Sequence, residues 1–75
     1  MQPGEAARLV LDEAGGEDLH WTVVWDRALR SGYIDPFTQP DARDELMRWL
    51  GEAARSGAIE KTSKGTYRSG GSTAR

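Results

Sequence analysis

Lys61, Lys64 and Arg68 fall close together near the C-terminal end of the sequence, with Glu60 as the one acid among them. Each cation can neutralise a phosphate and release a condensed counterion, so binding through them would weaken with salt. The ordinary alternative is protection of an exposed strand edge, where lysines deter pairing with other chains. Arg43 and Arg48 lie further back, in a run with helical periodicity, where either could reach a phosphate or a base edge. Asp41, Asp44, Glu45 and Glu52 share that run. Carboxylates repel phosphates, and among the bases only the cytosine amino group rewards an acid. The alternative there is a solvated face with Glu45 and Arg48 paired three residues apart. Arg27 and Arg30 are lesser flanking candidates, and Arg75 could add a weak contact.

Other chemistries find few residues. His20 is the single histidine and there is no cysteine, so a metal has no pair of soft or imidazole ligands to share. A general acid or base needs an orienting partner, and none stands near His20 in the sequence. His20 is read as a hydrogen-bonded structural residue. Trp21, Trp25 and Trp49 could stack on bases, but their spacing with other apolar residues places them in the core. Asp12, Glu13, Glu17 and Asp18 surround Gly15-Gly16 without the spacing of a calcium loop. Ser31, Ser56 and Ser63 have no local base. The expectation is a protein that is not an enzyme and uses no cofactor, metal or small-molecule ligand.

The elements that must position these residues are legible. A first helix is expected from Pro3 to Ala14, with Pro3 in its first turn and Glu5 at the positive end of its dipole. Ala7, Val10, Leu11 and Ala14 share one face, and Gly15-Gly16 ends it. Leu19-His20-Trp21 reads as a short strand. Thr22 reads as the N-cap of a second helix over Val23–Ser31, ended by Gly32. Tyr33–Gln39 is a connection in which Asp35-Pro36 enforces an extended or turn conformation. A third helix is expected from Gln39-Pro40 to Ser56-Gly57, with Thr38 and Asp41 as a loose capping box. Ala42, Leu46, Trp49, Leu50 and Ala53 form its buried stripe. Ala58 to Arg68 then reads as a hairpin, anchored by Ile59 and Tyr67 and turning at Ser63-Lys64-Gly65. Ser69 to Arg75 is Gly/Ser-rich and is expected to be a disordered tail.

Seventy-five residues make one domain. So short a chain buries only about 60% of the surface its unfolded form exposes, which leaves no room for a cleft between two lobes. No apolar run reaches the roughly 20 residues of a membrane span, and no signal peptide is evident. The net charge of −2 hides a gradient. Residues 1–19 hold five acids and one base, whereas residues 58–75 hold four bases and one acid. The position of the cations matters more to phosphate binding than the net total. A soluble protein of a reducing compartment, cytoplasmic or nucleoid-associated, fits this composition.

Three helices need a sheet to close their open side. The short strand at Leu19–Trp21, paired with the hairpin, supplies one. The expected fold is therefore α+β and mainly α: a winged helix-turn-helix over residues 3–68, with three helices, a short strand and a C-terminal β-hairpin wing. Leu19-His20-Trp21 followed by Trp25-Asp26-Arg27-Ala28-Leu29-Arg30-Ser31-Gly32-Tyr33-Ile34, with Gly65 and Tyr67 in the last strand, resembles the HARE-type winged helix-turn-helix. The resemblance spans about residues 4–68. It implies an accessory module linked to DNA, without catalysis.

The expected function is binding of duplex DNA, with the third helix toward the major groove and the wing on the phosphate backbone. Lys61, Lys64 and Arg68 would carry most of the affinity, with Arg43 and Arg48 contributing. One module reads few base pairs, so a regulator of this size needs a second copy or a partner. The other reading is a protein-interaction module, with acidic segments facing a basic partner and Leu9, Phe37 and Met47 supplying apolar contacts. Fold alone does not choose between the two.

Overall fold

The computed structural model describes residues 1–69. It is a small α+β domain in the order α1 (Pro3–Glu13), β1 (Leu19–His20), α2 (Trp21–Arg30), α3 (Ala42–Ser56), β2 (Ile59–Ser63) and β3 (Thr66–Ser69). The three strands form one antiparallel sheet in the order β1-β3-β2. Leu19 lies opposite Tyr67, and Ile59 opposite Ser69. The strand at residues 19–20 thus closes onto the hairpin, as the sequence suggested. Among the described residues, no helix is long and apolar enough to cross a membrane.

α1 is the hub of the packing. It contacts α2, α3 and β3, whereas α2 and α3 touch each other sparingly. Its Ala6, Ala7, Val10 and Leu11 are almost wholly buried. Ala6 takes the place expected of Ala14, which sits half-buried at the C-cap. α3 supplies Ala42, Leu46, Leu50 and Ala53, and the sheet adds Leu19, Ile59 and Tyr67. The centre is aliphatic. Trp21, Trp25 and Trp49 pack against it half-buried rather than within it, because an indole carries a polar N–H that is best left near water or a partner.

One close approach fixes α1 against α3. A Cβ placed on Gly4 would lie 2.6 Å from Cδ1 of Trp49, so only glycine lets the indole rest on the α1 backbone here. Nothing in the local sequence pattern announces this contact.

Three boundaries differ from expectation. α2 begins at Trp21, and its N-cap is His20 rather than Thr22. His20 has extended backbone, and its Nδ1 accepts a hydrogen bond from the Thr22 N–H at 3.3 Å. The imidazole does the work usually assigned to a serine or aspartate. α3 begins at Ala42 rather than at Gln39-Pro40, because residues 35–39 are committed to a turn about Asp35. The Thr38–Asp41 capping box is not formed. The Thr38 hydroxyl donates to the Asp35 carbonyl, and Asp41 makes no side-chain capping bond. Lastly, Ser69 belongs to β3 instead of a tail. The remainder of the expected tail, residues 70–75 with Arg75, lies outside the described residues.

Candidate nucleic-acid interface

The hairpin turns on two residues, Lys64 and Gly65, with Ser63 already paired to Thr66. Gly65 has φ +74°, while Lys64 has the ordinary negative sign. A positive φ at this position is the backbone state that favours glycine. The pairing register slips between Lys61 and Ser63, and a bulge of this kind adds local twist.

The turn is braced from one side by the start of α2. The Trp21 N–H donates to the Gly65 carbonyl at 2.8 Å. A Cβ on Gly65 would lie 2.9 Å from Nε2 of His20. His20 therefore has two structural duties, capping α2 and lying against the turn, and its ring is tilted over Trp21. These contacts fix where Lys64 emerges from the protein.

Register decides which cations share a surface. Residues directly opposite in an antiparallel pair project from the same face. Lys61 lies opposite Tyr67, on the face that carries Tyr67 and Leu19 toward the helices, yet it is exposed. Arg68 lies opposite Glu60, on the other face. Its guanidinium is held by the Glu60 carboxylate through Nε at 2.7 Å and Nη2 at 2.6 Å. The three wing cations are thus not equivalent. Lys61 and Lys64 form no ion pair within the described residues. Arg68 is engaged by the one acid that the sequence places beside it.

The α3 candidates are placed apart from one another. Five residues of α-helix turn through roughly 140° beyond a full circle, so Arg43 and Arg48 face different surroundings. Arg48 lines an open groove with Glu5, Glu45, Trp49 and Glu52, where carboxylates outnumber it. It forms no ion pair with Glu45, contrary to the solvated-pair alternative. Arg43 lines a second groove with Trp25, Pro36, Pro40 and Asp44. On α2, Arg30 is paired with Asp26 at 2.9 Å, while Arg27 is exposed.

The connection between α2 and α3 carries features the sequence reading only touched. Its backbone gathers on Asp35, whose carbonyl accepts from Thr38 N and Gln39 N and whose Oδ1 accepts from Phe37 N at 3.0 Å. Phe37 is 95% exposed, far more than Leu9 or Met47, which are half-buried. At the start of this connection the Tyr33 hydroxyl donates to Glu13. That hydrogen bond, with some burial and the carboxylate charge, holds the phenol above its usual pKa. Among the described residues no cluster of acids and His could hold a metal ion. No family model, no curated protein and no solved structure matches the chain.

Proposed function

We propose that this domain is a winged helix-turn-helix that binds duplex DNA mainly through its hairpin, as an accessory module without catalysis of its own. The order of helices, the short strand closing on the hairpin and the three-stranded sheet support the winged-helix reading. The resemblance to HARE-type domains points the same way. The observation that carries the reading is the pair of hairpin cations, Lys61 on β2 and Lys64 on the turn braced against α2, both exposed and unpaired within the described residues. A cation held in place loses less freedom when it meets a phosphate.

The contributions are graded. Lys61 and Lys64 lead, and Arg68 follows because Glu60 competes for it. Arg48 and Arg43 add less, Arg48 because three carboxylates share its groove, and Arg43 because Asp44 stands beside it. α3 would face the major groove with few base contacts, so the binding is dominated by phosphates and weakly selective for sequence.

The test is a titration of isotopically labelled protein with a generic duplex at low and at moderate salt. Amide shifts centred on residues 61–68, fading with salt, are expected. Lys64→Ala should weaken binding similarly across sequences and lower the salt slope by about one. Silence at low salt, where even non-specific binders associate, overturns the reading. A protein-interaction module is the second reading, and the observation that favours it is the exposed Phe37 on a hydrogen-bonded turn.

A further inference from the structure

Phe37 is the most exposed large apolar side chain of the described residues. The loop that holds it is ordered by its own hydrogen bonds. Phe37 N, Thr38 N and Gln39 N all donate to Asp35. The Gln39 side chain accepts from Asp35 N and donates to the Met1 carbonyl. An aromatic ring held in water on a hydrogen-bonded loop loses less loop freedom when it docks.

A hollow lies directly beside this knob. Trp25, Pro36, Gln39, Pro40, Arg43 and Asp44 line a groove of about 270 Å³, and Pro36 is the chain neighbour of Phe37. A knob next to a hole on one surface is self-complementary under a two-fold axis, because each copy's knob can enter the other copy's hole. The rim charges have the same property. Arg43 and Asp44 are consecutive, opposite in sign, and form no ion pair within the described residues. Two-fold apposition sets each Arg43 against the other copy's Asp44.

Other occupants fit less well. Asp35, Asp41 and Asp44 lie close to Phe37 in the chain and are exposed, which disfavours a phosphate backbone and hence an aromatic wedge into DNA. Residues 70–75 contain no large apolar side chain, so that segment cannot fill the groove. We infer that this face, Phe37 with the Trp25–Pro36–Pro40 groove and the Arg43–Asp44 rim, is the contact through which a second copy of the chain docks in a two-fold dimer. Phe37 and the six residues of the groove are far fewer than the roughly 20–30 residues a side of a standard interface, so the dimer is weak and reversible. It would set two hairpins on one assembly and withdraw Arg43 from the phosphates, leaving them to the hairpin and Arg48, a consequence that rests on the DNA reading, whereas the contact itself does not.

The experiment is sedimentation equilibrium of the full chain without DNA, from dilute to near-millimolar protein, beside an amide-shift series over the same range. The expected result is a mass that rises toward the dimer, with shifts confined to Trp25 and residues 35–44. Phe37→Asp, on a side chain with no packing role, should leave the fold intact and abolish the rise. Arg43→Asp and Asp44→Arg should each weaken association, and the two together should restore it. A monomer at every concentration overturns the inference. So does a dimer indifferent to Phe37→Asp, or a double exchange that fails to restore. Because no nucleic acid is present, a monomer that still binds duplex leaves the proposed function standing. A dimer that ignores duplex removes only that function.

Discussion

Two turns of this domain each present a functional candidate to solvent, and they are built by opposite means. The Lys64-Gly65 turn depends on backbone: one glycine with φ +74°, tight against His20 and bonded to Trp21. The turn at residues 35–39 has no positive φ at all, and depends on a side chain, the Asp35 carboxylate, together with its carbonyl. The first presents cations, whose interactions weaken with salt. The second presents a phenyl ring, whose burial excluded salts strengthen. One small domain can therefore hold two interaction surfaces, one cationic and one with an apolar centre inside a charged rim, which respond differently to ionic strength.

Replacing the backbone device should have the larger effect. Gly65→Ala puts a side chain at positive φ and pushes its Cβ into the His20 ring, so we expect a loss of about 1–3 kcal/mol in chemical denaturation. Amide shifts should spread from the turn to Trp21 and Thr22, because the α2 cap leans on the same imidazole. A neutral result would mean that the turn can adopt a second geometry, and that Lys64 is less firmly placed than the contacts suggest. Asp35→Ala comes next. It removes the acceptor of Phe37 N, and a lost hydrogen bond on an exposed turn costs about 0.5–1.5 kcal/mol. Asp35→Asn keeps an acceptor oxygen and should recover most of that. The Asp35→Ala chain should also self-associate less than the natural one while the hairpin keeps its affinity for duplex. If both surfaces fail together, the two turns are not independent.

The parts of this architecture visible in the sequence were those governed by periodicity. Val10 and Leu11, and Leu46, Leu50 and Ala53, recur at helical spacing, and their burial follows. Ile59, Gly65 and Tyr67 marked the hairpin because strand anchors and a left-handed glycine are local signals. What was not legible depends on distant partners. His20 became a cap because Gly65 and Trp21 hold it at the helix start, and histidine is not a usual capping residue. The seat of Trp49 on Gly4 joins residues far apart in the chain. The division of the hairpin cations between faces depends on strand register, where one residue of slip moves a side chain to the opposite side. Composition gave Glu60 as the lone acid of the hairpin; only the register gave Arg68 as its partner.

That pairing provides the smallest and most discriminating test. Both side chains are nearly half exposed, 43% for Arg68 and 46% for Glu60, and exposed pairs contribute about 0–1 kcal/mol. Glu60→Gln should therefore change stability by no more than a few tenths of a kcal/mol to about 1 kcal/mol. Its effect on duplex binding should be easier to read. The substitution removes the acid nearest the cations and releases the guanidinium, so affinity at low salt should rise. If Arg68 then reaches a phosphate, the slope of binding against salt should steepen by about one. A rise in affinity with an unchanged slope would mean that only local repulsion was relieved and that the outer face of the hairpin stays clear of the backbone. The phosphate track would then follow Lys61 on the helix-side face and Lys64 at the turn. Self-association through Phe37 should be unaffected in either case, because Glu60 and Phe37 belong to different surfaces.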